Sequence, residues 1–151
     1  MRRIKKILLY TLICICSISC SFSKNTANNS DKQFSIPEKW YGTYSFTINE
    51  DHEDWRDMKD IQLRIDKDSV TYEATGYQVY QYYLLDAKVN ENELHFTYSK
   101  TIDANVESAV LEKTKDFGTL TFDGKNYLWT CPYIYIVYDS YKNGTFVLKR
   151  D

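Results

Sequence analysis

The sequence predicts an all-β protein: one small antiparallel up-and-down barrel of eight strands, preceded by a signal peptide and a flexible tether. Three observations carry that expectation. From Trp40 onward apolar residues recur at every second position, the period of a half-buried strand. Short turn signals separate the runs. No amphipathic stretch of more than about three helical turns interrupts them.

Taken in order, residues 40–48 set Trp40, Gly42, Tyr44, Phe46 and Ile48 on one face and Tyr41, Thr43, Ser45 and Thr47 on the other. Ile61, Leu63 and Ile65 alternate with Gln62, Arg64 and Asp66. The run Asp66-Lys67-Asp68-Ser69 is a turn, and Val70, Tyr72 and Ala74 restart the alternation. Gly76 marks the next turn or a bulge. Residues 77–89 read as one long strand whose alternation breaks at Tyr82-Tyr83-Leu84-Leu85, which calls for a bulge or burial on both faces. Asn90-Glu91-Asn92 turns the chain into Leu94, Phe96 and Tyr98. Residues 101–115 lose the period and read as a loop with a helical turn near 106–111. Strand character returns over 117–122. Asp123-Gly124 is a hairpin signal, since Gly tolerates positive φ, and 125–131 is the paired strand, ended by Pro132. Residues 133–138 are wholly apolar or aromatic and read as a strand extension. Asn143-Gly144 is a further turn, and 145–150 closes the barrel, removing exposed sheet edges.

The chain opens on Arg2, Arg3, Lys5 and Lys6, followed by an apolar run over 7–18. About a dozen apolar residues is too short to span a bilayer and fits a secretory signal. Its end, Ser17-Ile18-Ser19-Cys20, resembles the lipobox of bacterial lipoproteins, although Leu is usual where Ser17 stands. The expected organisation is therefore a signal peptide over 1–19, a tether over 20–39 anchored through acylated Cys20, and a barrel over 40–151. Removing nineteen residues that carry four Lys and Arg and no acid leaves 132 residues and turns the net charge from −2 to −6. Cys14 and Cys16 leave with the peptide, so Cys131 stays as the lone thiol and no intramolecular disulfide forms. Residues 21–36 are rich in Ser, Asn and Lys; as a flexible chain they reach roughly 20–25 Å. No acidic run follows Cys20, which by resemblance to surface-displayed lipoproteins favours the outer membrane facing the periplasm.

Composition narrows the function. The aromatic fraction of 16% argues against disorder, and a net charge of −2 against nucleic acid as partner. Gly42-Thr43-Tyr44 resembles the Gly-x-Trp signature of lipocalins and related barrels, with Tyr in place of Trp. That resemblance implies a structural cluster at the closed end: Trp40, Gly42 and Tyr44 under a cation from the last strand, here Arg150 or Lys149. The stretch from Trp40 to Arg150 is also similar to an uncharacterised family of short bacterial lipoproteins, through Trp40-Tyr41-Gly42-Thr43-Tyr44, Gly76-Tyr77-Gln78-Val79-Tyr80 and Tyr127-Leu128-Trp129. Neither resemblance implies an activity.

Constellations that carry chemistry are few. Residues 49–60 hold Glu50, Asp51, Glu53, Asp54, Asp57, Asp60 and His52, but match no metal-site spacing. They read as a solvated connection in which Trp55 and Met58 fold one helical turn over a barrel end. His95 alternates with Leu94 and Phe96 and faces solvent or a polar lining. Cys131 reads as a small buried hydrophobe. No catalytic or metal-binding residue and no cofactor is expected, and the chain reads as a non-enzyme. Tyr is the distinctive residue, with fourteen in all. Tyr72, Tyr80, Tyr83, Tyr98 and Trp129 are the candidate pocket or interaction aromatics, because such side chains join an apolar body to a polar tip.

Two functions fit. The first is a monomeric anchored barrel that binds a small apolar or amphipathic ligand, which needs an internal cavity of roughly 300 Å³ or more. A barrel filled by its own side chains counts against it. The second is an interaction module or inhibitor of a cationic envelope enzyme such as lysozyme, which needs an acidic or aromatic surface patch.

Overall fold

The computed structural model describes residues 35–102, 107–138 and 144–151. The signal peptide, Cys20, most of the tether, Tyr141 and Asn143 lie outside the described residues. Eight antiparallel strands run in sequence order around a closed barrel: β1 (Gly42–Ile48), β2 (Lys59–Ile65), β3 (Val70–Gly76), β4 (Val79–Asn90), β5 (Glu93–Thr101), β6 (Asp116–Phe122), β7 (Tyr127–Thr130) and β8 (Phe146–Arg150). Closure is made by β8 on β1, with Arg150 opposite Tyr44 and Lys149 opposite Ser45. The strand number and connectivity are compatible with a lipocalin-like fold.

The period-two reading explains which side chains turn inward. Lys59, Ile61, Leu63 and Ile65 are buried along β2 while Asp60, Gln62 and Arg64 are exposed. Tyr44 and Ile48 are buried on β1, and Tyr72 and Ala74 on β3. The break expected in the long strand is a register shift between Leu84 and Leu85: Leu84 pairs with Lys100 and Leu85 with Tyr98, so Ser99 has no place in the ladder. The extra residue therefore sits in β5, whose alternation is interrupted over 98–101, while β4 itself keeps period two: Tyr83 and Leu85 are inside and Tyr82 and Leu84 are half-covered outside.

Residues 133–138 are not a strand. Pro132–Val137 forms a short helix, α1, inserted between β7 and β8. Pro132 explains the difference: its locked φ and missing N–H suit the first position of a helix and would break a ladder. Tyr133 and Ile134 are buried beneath this helix, and Ile136 faces solvent. The helical turn expected near 106–111 is the 3-10 turn Ala109–Glu112, with Leu111 buried. A 3-10 turn, Glu38–Trp40, precedes β1. The domain also begins earlier than Trp40, since Ile36 is buried and its carbonyl accepts a 2.9 Å hydrogen bond from the Tyr41 hydroxyl. Among the described residues no helix is long and apolar enough to cross a membrane.

Candidate functional site

The two barrel ends differ in construction. At the end where β1 begins, Arg150 lies over two rings, 5.7 Å from the centroid of Tyr44 and 5.3 Å from that of Tyr127. Its guanidinium also donates to the carbonyls of Lys39 and Tyr41 and to the Tyr127 hydroxyl. The Tyr44 hydroxyl donates to the carbonyl of Trp40 at 2.8 Å, and burial holds its phenol well above the ordinary range. Gly42 has φ +149, and a Cβ there would stand 2.9 Å from Arg150 Nε, so a side chain meets strain and collision together. The structure thus brings together Trp40, Gly42, Tyr44 and Arg150. Sequence reasoning missed Tyr127, which sits edge-on to Tyr44 at 4.8 Å and to Trp40 at 6.2 Å. Its position just after the Asp123-Gly124 hairpin was the available signal.

The candidate aromatics separate into two groups. Tyr72, Tyr83 and Trp129 are inside and essentially unexposed. Tyr72 stacks on Tyr83 at 5.8 Å, Phe117 stacks on Tyr133 at 4.4 Å, and the two pairs meet edge-on. The Trp129 indole donates to the Phe117 carbonyl at 2.8 Å. Tyr98 packs edge-on against Tyr83 and donates from its hydroxyl to Glu107 at 2.6 Å. Tyr80 does not join them: it points outward from β4 and is half exposed, because even-numbered positions along β4 face away from the core. Tyr133 and Phe117, absent from the sequence candidates, complete the packing. Tyr133 bonds Tyr83 hydroxyl to hydroxyl at 3.3 Å and donates to Gln81 at 3.2 Å. These rings fill the barrel end beneath α1 with side chains.

Surface grooves lie elsewhere, and Tyr72, Tyr83, Phe117 and Tyr133 line none of those described. One of about 190 Å³ opens at the Arg150 end between Lys39, Trp40, Asn92, Phe122 and Tyr127.

Cys131 is fully buried at the start of α1, and burial pushes its thiol up, away from the reactive thiolate. His95 is half exposed, 3.2 Å from Thr119 Oγ1 and 3.7 Å from Asp116. Among the described residues no three His, Cys, Asp or Glu side chains are grouped to hold a metal ion.

The opposite end carries the acidic connection, and it is more ordered than a solvated link. Trp55–Asp57 forms a 3-10 turn capped by the Asp54 carboxylate, which accepts from the Arg56 N–H at 3.0 Å. Arg56 returns a two-pronged ion pair to Asp54, and His52 meets Asp57 at 2.8 Å. The Arg56 hydrogen bonds hold the Asp54 carboxyl below the usual carboxylate range. Buried Lys59 donates to the carbonyls of Arg56 and Met58, closing the turn from below. The helical turn therefore forms as expected, but only Met58 is half-covered; Trp55 stays 65% exposed, with Tyr77 edge-on at 5.4 Å.

Comparison with known proteins returns no match: no family model, no curated sequence and no solved structure is similar to the chain.

Proposed function

We propose that the protein is a non-enzymatic, lipid-anchored envelope lipoprotein whose barrel serves as an interaction module for a cationic protein. Acylated Cys20 is its membrane anchor, and the outer membrane facing the periplasm its site. The single observation that carries the reading is the acidic, aromatic end of the barrel. Residues 49–60 hold six carboxylates against Arg56 and Lys59, next to an exposed Trp. A barrel interior occupied by Tyr72, Tyr83, Phe117 and Tyr133 supports recognition on the outside instead of within. Carboxylates gathered at one end steer a basic partner and orient it before contact.

The test is calorimetric titration of the full chain in detergent with a basic probe protein, lysozyme, and with an acidic protein of similar size. The reading predicts saturable binding of the basic probe that weakens steeply with salt. Absence of binding at low salt to lysozyme and to a panel of other basic proteins contradicts it.

A second reading, small amphipathic ligand binding, is favoured by the groove at the Arg150 end. Its Trp40, Phe122 and Tyr127 rings offer an apolar bed, and the Lys39 ammonium a charged rim. At about 190 Å³ it is smaller than the roughly 300–1,000 Å³ of typical ligand sites, whereas a groove of about 410 Å³ beside Ile36, Val70, Leu85 and Ala87, rimmed by Lys67 and Lys88, falls within that range. The interaction reading stands first because the described barrel interior is packed with rings.

A further inference from the structure

Trp55 is the largest exposed apolar side chain among the described residues, and nothing about its surroundings is loose. Leaving an indole in water forfeits the burial of a large apolar surface, and Trp is among the side chains most enriched at the centres of protein interfaces. Here the local polar network serves to hold it out. Asp54 caps the turn, Arg56 locks Asp54, His52 locks Asp57, and the Asn49 side chain donates to the Asp57 carbonyl at 3.2 Å. Lys59 clamps the carbonyls of Arg56 and Met58.

Tyr77 is brought to Trp55 by a close approach of backbones. Gly76 stands opposite Lys59 in the β2–β3 ladder, and a Cβ on it would lie 2.5 Å from Lys59 Cδ and 2.7 Å from the Met58 carbonyl. Only a residue without a side chain lets the turn after β3 close onto the 49–58 connection. The result is two exposed rings meeting at 81°.

The charges around this corner are of two kinds. Asp54 is paired with the Arg56 guanidinium, and Asp57 is held by the His52 ring within the turn. Glu50, Asp51 and Glu53 are exposed, and among the described residues no ion pair engages them. An aromatic corner on a hydrogen-bonded connection that also carries uncommitted, exposed carboxylates is complementary to one side chain above others. A guanidinium is planar, stacks on indole faces, and meets carboxylates with paired N–H groups; a tetrahedral ammonium lacks the flat face and the paired N–H fork.

We infer that Trp55 and Tyr77 form a cradle for an arginine of a basic segment on a partner protein, with Glu50, Asp51 and Glu53 as its anionic rim. This rests on the reading of the barrel as a module for a cationic protein, and names the contact at its centre. Asp54, Arg56, His52 and Gly76 are positioning residues: they aim the rings and do not touch the arginine.

The test uses the full chain in detergent with two probes, a labelled hexa-arginine peptide and its hexa-lysine counterpart, followed by anisotropy. Trp40 and Trp129 are buried, so acrylamide quenching of tryptophan fluorescence reports on Trp55. Hexa-arginine is expected to bind more tightly than hexa-lysine and to shield Trp55 from acrylamide. Trp55→Leu is expected to weaken hexa-arginine about five- to thirty-fold, and Trp55→Phe less. Because Trp55 is exposed, circular dichroism and urea midpoints should match the parent for both. Equal binding of hexa-arginine to the parent and to Trp55→Leu overturns the cradle, as does loss of binding only on neutralising Glu50, Asp51 and Glu53 together. Failure of the two readings is distinguishable. If hexa-arginine binds through Trp55 while no basic protein binds, the interaction-module reading falls and the cradle stands. If lysozyme binds equally well to the parent and to Trp55→Leu, the cradle falls and the module stands.

Discussion

Arg150, the penultimate residue, stacks its guanidinium 5.7 Å above the ring of Tyr44, the third residue of the first strand. The two ends of the barrel chain are joined at this contact, directly beside the β1–β8 seam, where the ladder has only two residue pairs. A short seam makes the side-chain clasp matter more. Arg150→Ala removes the stacking on two rings and leaves the carbonyls of Lys39 and Tyr41 to water. The expected loss is about 1–3 kcal/mol, read from the urea midpoint. Arg150→Lys should recover only part of it, because an ammonium lacks the planar fork.

Alkaline pH should unfold the barrel. Burial raises the phenols of Tyr44, Tyr72 and Tyr133 above the ordinary range and pushes Tyr138 up to about 12. The folded state then keeps protons that the unfolded chain loses above about pH 10. Their contribution to stability is full below that pH and falls away as pH rises toward the folded values, by about 1.4 kcal/mol per pH unit for each phenol. Urea melts between pH 8 and 11.5 should show a level stability up to about 10 and a steep decline beyond. Phenolate absorbance should rise in step with unfolding. Ionisation of all tyrosines in a still-folded protein contradicts this.

Cys131 should ignore thiol reagents in the native protein. The side chain is fully buried and its thiol is held protonated by burial. With the full chain lacking other free thiols, as in a Cys14, Cys16 and Cys20 to Ser variant, an aromatic disulfide reagent should react on the timescale of unfolding and at once in denaturant. Rapid native reaction excludes the buried placement.

Tyr133 should act as a plug. It is stacked on Phe117 and bonded to Tyr83 and Gln81, so Tyr133→Ala leaves both a void and partnerless polar groups. A cost of about 3–5 kcal/mol is expected in urea. Tyr133→Phe keeps the ring and loses only the hydrogen bonds, costing about 1–2 kcal/mol.

Much of this was legible because strands report their inner face every second residue. Ile61, Leu63 and Ile65, then Tyr72 and Ala74, are inward as their alternation requires. The closed-end cluster is what the resemblance carried by Gly42-Thr43-Tyr44 implies, and Gly42 lies where the Arg150 side chain would meet a Cβ. What escaped depends on contacts distant in sequence. Residues 133–138 carry strand-like side chains, and only the neighbouring Pro132 and burial against β6 make them a helix. Tyr127 gains its role from Arg150, twenty-three residues away. Tyr77 meets Trp55 because Gly76 and Lys59 share a ladder position, which no local pattern records. The internal filling of the barrel likewise depends on Phe117 and Tyr133 arriving from different elements at one stack.

The central claim, a barrel that works from its surface on a cationic protein, is tested most directly by native mass spectrometry of the acylated protein purified from its own host. The account predicts a co-purifying basic protein that is lost at high salt and no small molecule retained by the barrel. A retained small amphipathic ligand, with no protein partner at low salt, would contradict it.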